Sequence, residues 1–309
     1  MRRALLLYNP ASGRHHNQRL RTIEQVAQVL RNQGLEVLTS PTEAPGTAGH
    51  QASQACAAGI EIVFACGGDG TIHEVIQGLA FRPQTALGII PLGTANALAR
   101  HLRLSLDPVQ AALQQLDFLP KTVPLGKVTY QTPAGENSRY FIVMAGAGTD
   151  GALVYNMLAT GKHRLGRIMY YLRAAILFSH HRFQPFSVNA TSAHLDTTQS
   201  AISAMCVRVA DLGGLFSPLI RNASIEDPHL TVSITEGPAH VSLPAWFAFS
   251  WVRLHRWNQY TRTSEVDSFH CSTAGPNPIQ VQADGEHLGT IPMSASLIPN
   301  AIQLLMQPL

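Results

Sequence analysis

The chain has 309 residues, enough for two domains on the usual size range. It is 45% hydrophobic and 13% charged, with a mean hydropathy of +0.05, which excludes an intrinsically disordered protein. A net charge of +3 and a pI of about 8.8 are too mild to imply nucleic acid, and no uninterrupted apolar run approaches the ~18–20 residues of a spanning helix.

Arg3 to Tyr8 is predicted as a strand. With Arg2 before it and Asn9-Pro10 ending it, this run is too short for a signal-peptide core, so a cytoplasmic location is expected. Asn9-Pro10-Ala11-Ser12-Gly13 reads either as a phosphate-binding turn or as ordinary turn pairs. Asn17 to Asn32 is helical, with Leu20, Ile23, Val26, Ala27 and Leu30 on one face and Gly34 as its cap. Leu35 to Ser40 is the next strand, and Thr42 after it is a candidate nucleotide contact. Ala48 to Ala58 is helical.

The apolar run from Ile60 to Ala65, broken by Glu61, feeds Cys66-Gly67-Gly68-Asp69-Gly70-Thr71, and helical spacing follows from Thr71. This reads as strand, glycine turn, helix. Glycines permit positive φ and close approach of a ligand to the main chain. Turn N–H groups and a helix N-terminus attract phosphate, and Asp69 adds the carboxylate that a metal–nucleotide complex needs. The alternative is a plain tight turn. Leu87 to Pro91 is a further strand, and Leu92-Gly93-Thr94-Ala95-Asn96 repeats the pattern before a helix over Thr94 to Leu102. Thr94 and Asn96 offer hydrogen bonds at a helix start, to a ligand or simply as a cap. Strands alternating with helices imply a parallel sheet with helices on both faces, its binding residues at the carboxyl ends of the strands.

After about Pro120 short apolar stretches replace this pattern: Thr122 to Tyr130, Tyr140 to Ala145, Phe186 to Ala190, Ala201 to Ala210, Leu230 to Thr235, Ile279 to Ala283 and Ile302 to Met306. They predict an antiparallel β domain with helical insertions near 151–180 and 242–260. Gly146-Ala147-Gly148-Thr149-Asp150-Gly151 fits GxGxxG, but Ala152 to Leu195 contains no Asp or Glu to hold a ribose, so the dinucleotide fingerprint fails. Asp150 is assigned instead to the same site as the other loops. Neither a Walker A sequence nor the protein-kinase HRD and DFG pair is present. The acid-free stretch carries Lys162, Arg164, Arg167, Arg173 and Arg182 among apolar residues, and Trp246 to Trp257 contains all three tryptophans. Both read either as membrane-interface helices or as core with a solvated basic face. Asp284-Gly285-Glu286 closes a predicted strand, either as a metal or proton-accepting pair or as a β-turn with solvated acids. The four cysteines, at 56, 66, 206 and 271, lack CxxC spacing and read as reduced core thiols; the fourteen histidines include no HExxH.

Four of these segments, Asn9 to Gly13, Gly67 to Thr71, Pro91 to Asn96 and Asp284 to Glu286, agree in order and spacing with one family. Over essentially its whole length the chain resembles the diacylglycerol kinase catalytic family, which includes bacterial lipid kinases and sphingosine kinases. The resemblance implies an α/β plus β fold: a doubly wound parallel sheet of the NAD kinase and phosphofructokinase kind over 1–120, and a β-sandwich lipid domain over 121–309. A return of the last strand to the first domain is left open, and the site is expected in the cleft between the domains. By position, Asn9, Pro10, Ala11, Ser12, Gly13, Thr42, Gly67, Gly68, Asp69, Gly70, Thr71, Ile72, His73, Thr94 and Asn96 are implied to contact ATP, with Mg²⁺ acting through Asp69. Glu286 is implied as the proton acceptor, with Asp284 beside it. A structural cation is implied at the Asp227 carboxylate and the Ser224 and His229 carbonyls. Ala97 stands where many members have Asp, and Pro228 where glycine is usual.

The expected reaction is transfer of the ATP γ-phosphoryl group to a primary hydroxyl of a membrane lipid, diacylglycerol or sphingoid. The expected setting is peripheral, at the inner face of the membrane, with no nucleic acid and with a homodimer left open. A soluble-metabolite kinase such as NAD kinase and an inactive lipid- or nucleotide-binding relative are the alternatives.

Overall fold

The computed structural model describes residues 2–10, 16–159, 174, 176–178, 182–192, 195–212, 223–251, 258–273 and 275–308. Two compact units divide the chain, Met1–Leu125 with Pro299–Leu309, and Gly126–Ile298.

In the first unit the strands are β1 (Arg3–Tyr8), β2 (Glu36–Pro41), β3 (Ile62–Gly67) and β4 (Ala86–Pro91). They are joined by the end of a long last strand, β15 (Glu286–Met306). The order is β15-β4-β3-β1-β2, and every pairing is parallel. All six residues of β3 and of β4 are buried, as expected for central strands covered on both faces. The helices are α1 (His16–Asn32), α2 (Ala48–Ala57), α3 (Asp69–Leu79), α4 (Ala97–His101) and α5 (Pro108–Gln114). α1 packs with α5 and α2 with α3, giving two helical layers. Ile23, Val26, Ala27 and Leu30 of α1 are buried, whereas Leu20 is exposed. Gln115 ties α5 to the sheet: its amide donates to the Ile89 carbonyl at 2.7 Å and accepts the Ile89 N–H at 2.8 Å.

The second unit is a β-sandwich. One sheet runs through β12 (Thr261–Val266), β11 (Leu230–Thr235), β10 (Ser203–Val207), β7 (Met144–Gly148), β14 (Gln280–Ala283) and the start of β15. The other runs from the middle of β15 through β13 (Ser268–Ser272) and β8 (Phe186–Ser192) to β9 (Leu195–Ala201). β15 therefore changes sheets within one strand: Glu286 to Thr290 pair with β14, and Met293 to Ser296 with β13. β5 (Leu119–Thr132) and β6 (Gly135–Phe141) add an antiparallel hairpin. Phe141, Val188, Val232, Phe269, Val281 and Met293 are among the residues that fill the core.

Two helices belong to this unit, α6 (Thr149–Ala159) and α7 (Ala239–Trp251). α7 contains Pro244 and buries Trp246, so that tryptophan is a packing residue. Lys162, Arg164, Arg167 and Arg173, and 252–257 with Trp257, lie outside the described residues. Among the described residues no helix is long and apolar enough to cross a membrane.

Candidate active site

Three turns at the carboxyl ends of β1, β3 and β4 lie side by side, because those strands are neighbours in the sheet. The Asn9 N–H donates to the Cys66 carbonyl at 3.2 Å, and the Leu92 N–H to the Gly67 carbonyl at 2.9 Å. The Asn9 amide reaches Thr71 Oγ1 at 3.4 Å, and the buried Arg19 donates to the Pro10 carbonyl. Thr42, at the end of β2, donates its N–H to the Tyr8 carbonyl at 2.8 Å. Ala11, Ser12 and Gly13 lie outside the described residues.

Gly68 has φ −93° and ψ −172°, an extended conformation open to any residue. Its glycine is favoured by a close neighbour, not by positive φ. A Cβ on Gly68 would stand 3.2 Å from Gly93 Cα, and a Cβ on Gly93 would overlap Gly68 Cα. The two glycine turns thus touch main chain to main chain. α3 begins at Asp69, two residues before the predicted start, and Asp69 Oδ1 accepts the Ala97 N–H at 2.8 Å. One carboxylate thereby sits at the N-terminus of its own helix and caps the next, where the positive end of each helix dipole stabilises it. Thr71, Ile72 and His73 are buried within α3, and the Ile72 N–H already donates to the Gly68 carbonyl at 3.2 Å, so the side chains of Ile72 and His73 are packing groups of the helix.

The second turn is shaped by Asn96. Its φ of 51° is left-handed, and its amide accepts the Gly93 N–H and donates to the Gly93 carbonyl, both at 3.0 Å. A residue in that conformation cannot continue a helix, so α4 starts at Ala97 and not at Thr94. Thr94 is left exposed on the loop.

In the second unit Asp284 and Gly285 have φ of 50° and 85° and join β14 to β15 in a two-residue hairpin, with Ala283 paired to Glu286. Positive φ at both positions is what a type I′ turn demands, and Asp-Gly supplies it. The Asp284 carboxylate is buried. Oδ1 accepts the N–H of Val143 at 2.8 Å and of Met144 at 3.0 Å, and Oδ2 accepts the N–H of Ile142 at 3.1 Å. Glu286, first in β15, is exposed. The two acids therefore differ in kind: one is a clamp that fixes the hairpin on the β6–β7 connection, and the other projects from it.

The turn before β11 has its own charge arrangement. Asp227 Oδ2 accepts the Ser224 N–H at 2.7 Å, and the Ser224 carbonyl accepts the Asp227 N–H at 3.2 Å. The Ile225 carbonyl between them accepts from Arg208 Nη2 at 2.6 Å. Arg208 is 2% exposed, and burial pulls its guanidinium down to about 10, with Cys206, Asp284 and Asp227 drawing it back up. The His229 ring is engaged with Asp267 at 2.8 Å. A cation at the Asp227 carboxylate and the Ser224 and His229 carbonyls would share this turn with the Arg208 guanidinium, and the Asp227 carboxylate and Ser224 carbonyl already accept protein N–H groups there. Among the described residues no group of three or more His, Cys, Asp or Glu gathers to hold a metal.

Two residues important here escaped the sequence reading as site residues, Arg208 and Gln282; Asp150, expected beside the phosphate loops, is instead buried in the second unit and accepts from Gln282 Nε2 at 3.0 Å. Arg208 left a signal, a lone charge inside the apolar run from Ala201 to Ala210. Gln282 left a weaker one, a polar residue two places before Asp-Gly.

Comparison with known proteins joins these two halves. Residues 3–128 match the diacylglycerol kinase catalytic domain, and residues 143–306 match the YegS C-terminal NAD kinase beta sandwich-like domain. A diacylglycerol kinase of Bacillus subtilis is 31% identical over 233 residues, covering 74% of this chain and 71% of that protein. A diacylglycerol kinase of Staphylococcus saprophyticus is 26% identical over 292 residues, covering 94% and 91%. A crystal structure from Bacillus anthracis superposes with a TM-score of 0.75 at 22% identity, over 99% of this chain and 95% of that one, a likeness that speaks to the fold alone. With paired glycine turns on a parallel sheet in one unit, an Asp-Gly-Glu hairpin on a sandwich in the other, and both family domains matched in order, this chain belongs to the diacylglycerol kinase catalytic-domain family.

Proposed function

We propose that the protein transfers the γ-phosphoryl group of ATP to a primary hydroxyl of a membrane lipid of the diacylglycerol or sphingoid class. Membership of a kinase family supports phosphoryl transfer, and relatives named diacylglycerol kinases support the lipid acceptor. The observation that carries the chemistry is the division of labour in the hairpin. Asp284 gives its oxygens to three main-chain N–H groups, while Glu286 projects exposed two residues later.

Phosphoryl transfer depends mainly on positioning and on charge stabilisation. Main-chain N–H groups of the Gly68–Thr71 segment, at the start of α3, hold the ATP phosphates, flanked by the Asn9 and Gly93 turns. Asp69 is oriented by the Ala97 N–H toward the same end of the sheet. Mg²⁺ bound with the nucleotide supplies charge neutralisation at the phosphate oxygens. Glu286 accepts the hydroxyl proton as the acceptor oxygen loses it to bond formation. No cation is placed in the 223–229 turn, where Arg208 supplies the positive charge. Contact with the membrane is peripheral.

The test is Glu286→Gln against wild type. Turnover falls by ~10²–10⁴-fold, with ATP affinity by calorimetry unchanged. Wild-type turnover in Glu286→Gln would remove Glu286 from the reaction.

A further inference from the structure

Gln282 is fully buried in β14, two residues before the Asp284-Gly285 turn. A buried primary amide has one accepting end and one donating end, and both need partners. The Gly285 N–H donates to Oε1 at 3.0 Å, which settles the orientation of the amide. Nε2 must then face an acceptor. It donates to Asp150 Oδ2 at 3.0 Å, across 132 residues of chain.

Several features of the sequence serve this contact. Asp150 is the second residue of α6, and α6 follows β7 directly. A Cβ on Gly146 would stand 2.6 Å from Asp150 Oδ2, so glycine there admits the carboxylate. A Cβ on Gly151 would overlap the Gln280 carbonyl, so glycine there lets α6 lie against β14. The GxGxxG look-alike is thus a packing device that brings one acid to one amide. The acid is placed at a cost. Burial pushes the Asp150 carboxyl up to about 6, offset in part by the Gln282 bond and by main-chain N–H groups of Gly151 and Asp150. An apolar residue would pack at such a position without that cost. The contact that repays it lies one hydrogen bond from the turn.

We infer that Asp150 and Gln282 form a positioning relay for Glu286: Asp150 holds the Gln282 amide in one orientation, and the amide holds the Gly285 N–H, which sets the next residue. With Asp284 gripping the opposite side, the hairpin is pinned through both of its turn residues. The relay acts on the main chain one residue before Glu286, not on its carboxylate. It rests on the reading of Glu286 as the proton acceptor.

Two measurements on the full chain test it. The first is amide hydrogen exchange in the segment from Gln280 to Thr290, which does not depend on activity. Gln282→Met and Asp150→Ala speed exchange at the turn, while Asp150→Asn, which keeps an acceptor for Nε2, restores protection. The second is turnover of dioctanoylglycerol in detergent micelles. Gln282→Met and Asp150→Ala lower kcat by roughly 10- to 100-fold, the scale of a misplaced reacting group, with KM for ATP unchanged. Asp150→Asn regains most of that loss. Combined with Glu286→Gln, Gln282→Met causes no further fall, because a relay to an absent base has nothing left to lose. Should Gln282→Met fail to fold, the Asp150 pair decides. Wild-type exchange and wild-type kcat in Asp150→Ala overturn the relay, as does a Gln282→Met loss that multiplies with that of Glu286→Gln. A wild-type kcat in Glu286→Gln alone removes the acceptor reading instead, and the exchange data then report the relay separately.

Discussion

Asp284 spends its carboxylate on the main chain of Ile142, Val143 and Met144, so its replacement belongs to stability before chemistry. Asp284→Asn removes the charge from a set of charge-assisted bonds and turns one acceptor into a donor facing N–H. It is expected to cost about 1–3 kcal/mol in urea unfolding, with the hairpin still formed. Arg208 is the other buried charge whose loss is structural. Arg208→Met leaves Asp227 and Asp284 without the guanidinium beside them, and about 3–5 kcal/mol of destabilisation is expected in the same assay. Wild-type unfolding should not move between EDTA and millimolar Mg²⁺ without nucleotide; a clear upward shift with Mg²⁺ would place a cation where Arg208 now serves. Asp150 gives a pH signature. Its folded-state value of about 6 lies above the ordinary 3.8, so the folded protein binds the extra proton between those limits. Stability from this group therefore rises as pH falls through 6, and is withheld above it. The midpoint difference between Asp150→Asn and wild type should favour the variant at about pH 7.5 and shrink toward about pH 5. Burial pushes the Cys66, Cys206 and Cys271 thiols up, Cys206 to about 12, so these three add nothing in this range.

At the scale of elements, the proposed nucleotide face depends on two glycine turns in contact. Gly93→Ala drives a Cβ into Gly68 Cα, and the turns must part. ATP affinity by calorimetry is expected to fall steeply, up to ~100-fold for a displacement near 1 Å, while the fold and its melting transition persist. Unchanged ATP binding in folded Gly93→Ala would remove these turns from the phosphate site. The strands of the first unit were legible in the sequence because each is a short apolar run bounded by turn residues, and alternation with helices announced the parallel sheet. The Gly93 turn was misread at its end because a left-handed Asn96 is a conformational fact that residue type only permits. Glu286 to Met306 was legible only at its end, since one strand that serves two sheets shows no single period. In the Asp-Gly-Glu segment residue type alone left the two acids alike, and only the family resemblance set Glu286 apart as acceptor. What separates them is a set of N–H groups some 140 residues away, and no local pattern records that distance. The same holds for Asp150 and Gln282.

Over the whole molecule, each unit matches one domain of the family, and the proposed site draws on both. Met1–Leu125 with Pro299–Leu309 carries the turns proposed to hold phosphate, and Gly126–Ile298 the proposed proton acceptor. If the lipid is reached at a membrane surface, activity on vesicles should rise with anionic lipid and fall with salt, since exposed charges are screened over ~8 Å at physiological ionic strength. The most direct measurement is incubation of the protein with γ-labelled ATP and Mg²⁺ over a panel of diacylglycerol, sphingosine, ceramide, phosphatidylglycerol and NAD, with products resolved. Label should pass to the hydroxyl of a diacylglycerol or sphingoid lipid, and Glu286→Gln should abolish that product. Label in NAD phosphate with none in any lipid would contradict the lipid-kinase reading.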